Sequence, residues 1–96
     1  MIVLAMRPGE RLELFRDLTI WHIEVRQGDK DPEPVVCGQE VEFGAWYRVP
    51  YCGPKGEDKG WRVQITRKCR NRVKVCIEAE PEVRVGHVDR SKVPCN

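Results

Sequence analysis

Long hydrophobic runs are missing from this sequence: no stretch approaches the roughly 18–20 apolar residues that a membrane span needs. A secretory leader sets a basic segment before an apolar core of about 7–15 residues. Here the apolar MIVLAM comes first and Arg7 follows, so the opening does not read as a targeting peptide. A cytoplasmic protein with no membrane partner is expected. Histidine is scarce: His22 and His87 are the only two, and neither adjoins a nucleophile or carboxylate in a pattern that acid–base catalysis would use. No enzyme is expected. Five cysteines (Cys37, Cys52, Cys69, Cys76 and Cys95) include no C-x-x-C pair, whereas zinc sites usually place two ligands within about 2–4 residues of each other. Free thiols are the default reading, with a structural metal or a Cys37–Cys52 bridge as the alternatives; no cofactor is implied. The segment CGPKGEDKG lacks the strand-to-helix setting of a phosphate-binding loop. Neither sign of charge dominates, since 17 basic and 15 acidic side chains leave +2.

Helical periodicity is nearly absent too, while period-two alternation recurs. Ile2 to Met6 reads as a short apolar strand and RPGE as the turn after it. Leu12 and Leu14 share one face of a second strand. In the third, Trp21, Ile23 and Val25 oppose His22 and Glu24. QGDKDPEP, dense in turn formers and prolines, breaks the pattern. Alternation resumes in VEFGAWYRV, where Val41, Phe43, Ala45, Tyr47 and Val49 line one face. Trp61, Val63 and Ile65 begin another strand, Arg70-Asn71 reads as a hairpin turn, and Val73, Val75 and Ile77 line the strand that follows. Val83 and Val85 mark the last. An all-β fold in a single domain over residues 1–96 is predicted. A chain this short buries only about two-thirds of the surface its unfolded form exposes, and the first strand, apolar on both sides, has no obvious local partner. Oligomerisation would help it.

Charge is segregated along the chain. Asp29, Asp31, Glu33, Glu40 and Glu42 are opposed in their stretch by Lys30 alone, whereas Trp61 to Ile77 holds Arg62, Arg67, Lys68, Arg70, Arg72 and Lys74 with no acid. Either the two stretches attract each other, or the basic one follows a phosphate backbone. Most of the aromatic residues fall on apolar faces and read as core; Trp46, on the polar face between Gly44 and Arg48, is the candidate for a partner contact.

In order along the chain, MIVLAMRPGERLEL, DLTIWHIEV and NRVKVCIEAEPEVRVGHVD resemble the strand motifs of the carbon storage regulator (CsrA/RsmA) family of bacterial translational regulators. About half of the chain is covered. The resemblance implies a small five-stranded domain in a strand-swapped, intertwined homodimer, with the first and fifth strands of opposite protomers side by side. Here it would carry an extra inserted β-hairpin at about residues 27–61. It also implies a function, binding GGA-containing hairpin loops in messenger RNA leaders and so regulating translation. On that basis Leu4, Arg7, Ala79, Val83, Val85 and His87 would meet RNA. Arg67, Lys68, Arg70, Arg72 and Lys74 would add phosphate contacts.

Two departures bear on affinity. The family has Thr-Arg where this chain has Ala5-Met6, and His-Arg where it has Gly86-His87. A charge-assisted hydrogen bond to phosphate is worth about 1.5–3 kcal/mol, so two lost arginines weaken binding by a factor on the order of a hundred or more. Arginine restored at Met6 and His87 is therefore expected to raise affinity. An alternative is a diverged relative that has lost RNA binding and binds a protein partner through the insertion.

Overall fold

The computed structural model describes residues 1–69 and 71–88. Among them run nine strands: β1 (Ile2–Met6), β2 (Arg11–Arg16), β3 (Thr19–Gln27), β4 (Pro32–Val36), β5 (Gln39–Glu40), β6 (Trp46–Val49), β7 (Trp61–Cys69), β8 (Arg72–Glu78) and β9 (Arg84–Val88). The fold is all-β, built as two antiparallel sheets in the orders β1-β8-β7-β6 and β5-β4-β3-β2-β9.

The alternation seen in the sequence sets the core. Leu12, Leu14, Trp21, Ile23 and Val25 of one sheet, and Trp61, Val63, Ile65, Val73, Val75 and Ile77 of the other, form a single buried cluster. Two sheets that share one apolar layer in this way are held mainly by side-chain burial, about 1.5–3 kcal/mol for each large aliphatic residue. Trp21 meets Trp61 edge-on across the layer, with ring centroids 5.6 Å apart, a geometry the aromatic quadrupoles favour.

The first strand's partner is distant rather than local. β1 pairs with β8, Ile2 opposite Ile77 and Met6 opposite Val73, so Ile2, Leu4 and Met6 turn toward the core. The turn that follows has Pro8 as its second residue and Gly9 at φ +94° as its third, closed by Glu10 N–H donating to the Arg7 carbonyl at 3.0 Å. That is type II chemistry, in which the third position requires a residue tolerant of positive φ. The Glu10 carboxylate accepts from the Arg7 N–H at 2.5 Å, so it serves the local main chain.

Segment 27–61 departs from the predicted pattern in two places. Pro32 and Pro34, read as strand breakers, lie inside β4. Val41 N–H donates to the Pro34 carbonyl at 3.2 Å while Cys37 N–H bonds the His22 carbonyl at 2.8 Å. In an extended chain a residue's N and C=O point the same way, so the ring nitrogen of Pro34 faces away from β3, where no ladder bond is lost. β4 turns tightly through Cys37 (φ +52°) and Gly38 (φ +81°) into β5. VEFGAWYRV is not one strand either. Gly44, at φ +83°, turns the chain, and its N–H donates to the Ile65 carbonyl at 2.8 Å. β6 therefore begins at Trp46, in the other sheet.

Positive φ at both central residues defines a type I′ hairpin turn, for which Asn-Gly is favoured. Cys37→Asn should raise stability by roughly 0.5–1 kcal/mol, read as a higher urea midpoint at unchanged m-value.

Candidate nucleic-acid interface

β1 and β9 are both edge strands, so in this chain each has one side on which no described strand pairs. The solvent side of β1 is apolar: Val3 is 55% exposed, beside exposed Ala5. An open apolar edge is a template for strand addition unless something covers it.

At the end of β1 the register sets Arg7 one step beyond the Met6–Val73 pair, alongside Arg72 at the start of β8. The two arginines line a cleft of about 510 Å³ whose other walls are Pro8, Gln27, Cys69 and Asn71. The arrangement follows from the turn at Pro8-Gly9 and the β7–β8 hairpin, which end side by side. Guanidinium groups offer a planar fork of donors suited to phosphate, and carboxamides such as those of Gln27 and Asn71 both donate and accept.

Ion pairing separates the basic residues into two groups. Arg67 reaches Asp31 at 2.5 Å, so one member of the basic stretch is held by the acidic stretch. Arg11, Arg16, Arg26, Arg48, Lys59 and Arg62 also meet carboxylates. Arg7, Lys30, Lys55, Lys68, Arg72, Lys74 and Arg84 have no ion-pair partner among the described residues, and all seven are exposed. Four of them, Arg7, Lys68, Arg72 and Lys74, gather where β1, β7 and β8 end or begin, whereas Lys30 and Lys55 lie in loops and Arg84 on β9. Arg70, the fifth predicted phosphate contact, lies outside the described residues.

The remaining predicted positions lie elsewhere. Leu4, Ala79 and Val85 are half-buried against the core, and Val83 is only 5% exposed within it, so these side chains serve packing in the single chain. The main chain of His87 pairs with Leu12; its side chain lies outside what is described. On β2 the Phe15 ring covers Gly86, and a Cβ built there would come within 2.7 Å of it.

Met6 changes an expectation. Its side chain is 1% exposed, so it is a core position and not a vacant seat for a phosphate-binding arginine. Trp46 lies on the outer face of the four-stranded sheet, 41% exposed, with the Arg62 guanidinium 4.3 Å above its ring. Glu78 accepts from Arg62 Nε, and this pairing holds its carboxyl below the usual carboxylate range. Sequence reading placed Trp46 on the polar face but missed its arginine partner, because β6–β7 register had to be known first.

No family model, curated protein or solved structure matches this chain.

Met6→Arg should cost about 3 kcal/mol or more of folding stability, because the charge would enter a layer with no partner. Chemical denaturation checks this, with Val3→Arg on the exposed face of the same strand as the near-neutral control.

Proposed function

We propose that this protein is a cytoplasmic, homodimeric RNA-binding regulator that acts after transcription on unpaired GGA-containing loops in messenger leaders. The observation that carries the reading is the cleft at the end of β1 that Arg7 and Arg72 line, with Lys68 and Lys74, likewise without a described ion-pair partner, on the adjoining strands β7 and β8. Looped RNA offers phosphates to such a group and unstacked base edges to nearby amides and main-chain groups. The loop sequence and the regulatory role come from the ordered strand motifs that resemble the carbon storage regulator family.

The dimer reading rests on two of the four sheet edges, those of β1 and β9. A two-fold axis that sets β1 of one protomer beside β9 of its partner would close both edges on both copies, with each contact made twice. Strand exchange would keep the β1–β8 register and form it between chains instead of within one. The side-by-side arrangement would bring Arg7 near the partner's last strand, and the exchanged one would set it beside the partner's β8; either makes a binding edge shared by two chains.

A second reading, protein binding through the insertion, is favoured by one feature. Pro32, Glu33, Pro34, Glu40, Val41, Glu42 and Phe43 line a groove of about 290 Å³, apolar in its floor and acidic at its rim.

Titration of a GGA-loop hairpin RNA at two salt concentrations separates these readings. RNA binding that weakens with salt is expected, with Arg7→Ala and Arg72→Ala each lowering affinity by about tenfold and the salt slope by roughly one. Absence of any complex at roughly tens of micromolar protein in low salt would reject the regulator. Sedimentation velocity of the free protein should find two copies; a monomer would remove the shared edge from the scheme.

A further inference from the structure

The outer face of the four-stranded sheet carries a feature that the cationic cleft does not absorb. Cross-strand register lays its side chains in rows: Val3, Cys76, Gln64 and Trp46 in one, Ala5, Lys74 and Thr66 in the next, and Glu78, Arg62 and Arg48 on the other side. The first two rows are low, built from small or uncharged side chains except at Trp46 and Lys74. Trp46 is the most exposed of the described aromatic side chains, since Trp21 and Trp61 are buried and Phe15, Phe43, Tyr47 and Tyr51 are at most half-exposed. It also sits on β6, the outermost strand, so its far side meets no further strand.

Charge on this face is unbalanced. Arg62 is matched by Glu78 and Arg48 by Asp58, whereas Lys74 and Arg72 are matched by no described acid. An anionic partner is therefore favoured over a basic or neutral apolar one. Arg62, fixed by Glu78, lies over the Trp46 ring at 4.3 Å and covers that ring face. A base would therefore stack on the outer side of the guanidinium or on the ring's uncovered face, both of which suit unpaired bases. With strands about 4.8 Å apart and residues about 3.4 Å apart along them, Lys74 lies about 12 Å from Trp46 across a shallow floor.

We infer that this face is a second RNA-contacting surface, on which Trp46 and Arg62 stack an unpaired base while Lys74 and Arg72 hold the adjoining backbone. It would lead a single strand away from the Arg7–Arg72 cleft across β8 and β7. The inference rests on the RNA-binding reading above, and its test separates the two.

The probe is the GGA-loop hairpin extended by a single-stranded tail, with a matched set bearing one abasic site at each tail position in turn. Trp46→Ala should weaken binding by roughly five- to a hundredfold with the salt slope unchanged, and Trp46→Phe should recover most of the loss. Lys74→Ala should lower the salt slope by about one. One abasic position should reduce wild-type affinity to that of Trp46→Ala and leave the variant unaffected; a structural role for Trp46 would not produce that match. RNA should also shield the exposed tryptophan from acrylamide quenching. If Trp46→Ala and Trp46→Phe bind the extended RNA as wild type does while Arg72→Ala does not, this surface is not used and the cleft reading stands. If Trp46→Ala leaves RNA affinity intact but abolishes dimerisation, the face is a protein contact and the inference falls. If the wild-type protein binds none of the RNAs, both readings fall together.

Discussion

The pairing of β1 with β8 is the contact on which the rest depends. It joins the start of the chain to a strand near its end, and it does so through Ile2, Leu4 and Met6 meeting a layer that contains Val73, Val75 and Ile77. Loop closure over such a separation costs entropy that only extensive apolar burial offsets. The same register that aligns the core residues sets Arg7 beside Arg72 and leaves Val3 on open surface. Core, cationic cleft and unpaired edge are thus three results of one alignment. A slip of a single residue would turn Leu4 to solvent and Val3 inward, and would displace the arginines from each other.

Electrostatics refines what topology brings together. The acidic stretch and the basic stretch are read in sequence as competing ideas, mutual attraction or a nucleic-acid track. Mutual attraction applies to part of the basic stretch. Asp31 takes Arg67, while Asp58, Glu78, Glu80 and Glu24 take Arg11, Arg16, Arg26, Arg48, Lys59 and Arg62. Exposed pairs of this kind contribute little to stability, typically about 0–1 kcal/mol. Their larger effect is to cancel positive potential over part of the surface, so that the largest group of unpaired cations, Arg7, Lys68, Arg72 and Lys74, stands near one end of the four-stranded sheet, with Lys30, Lys55 and Arg84 apart from it. A concentrated potential steers an anionic partner more selectively than a diffuse one.

Strands with clean alternation were legible before any coordinates. β2, β3, β7 and β8 fall where Leu12/Leu14, Trp21/Ile23/Val25, Trp61/Val63/Ile65 and Val73/Val75/Ile77 repeat every second residue. Segment 27–50 was harder because local cues pointed the wrong way. Proline usually ends a strand, yet Pro34 is tolerated where its nitrogen faces away from β3; alternation through Glu42–Gly44 was accidental, since Gly44 turns the chain between sheets. At the site, Arg7 and Arg72 were each visible as candidates, but their adjacency depends on long-range strand order, which period-two patterns do not encode. Met6 was misjudged for the same reason: which side of β1 faces inward is decided by β8.

The contact between Phe15 and Gly86 ties two distant parts of the chain to one another. Bare backbone at Gly86 lets the aromatic ring lie flat on the last strand, and any larger residue must first displace that ring. Changes at these two sites are therefore coupled, and the order in which they arrive matters. Placing a larger side chain at position 86 would have to begin with a smaller one at Phe15 on β2. A route that altered the glycine first would pass through an intermediate with a disturbed edge, at the strand where a second subunit is proposed to join.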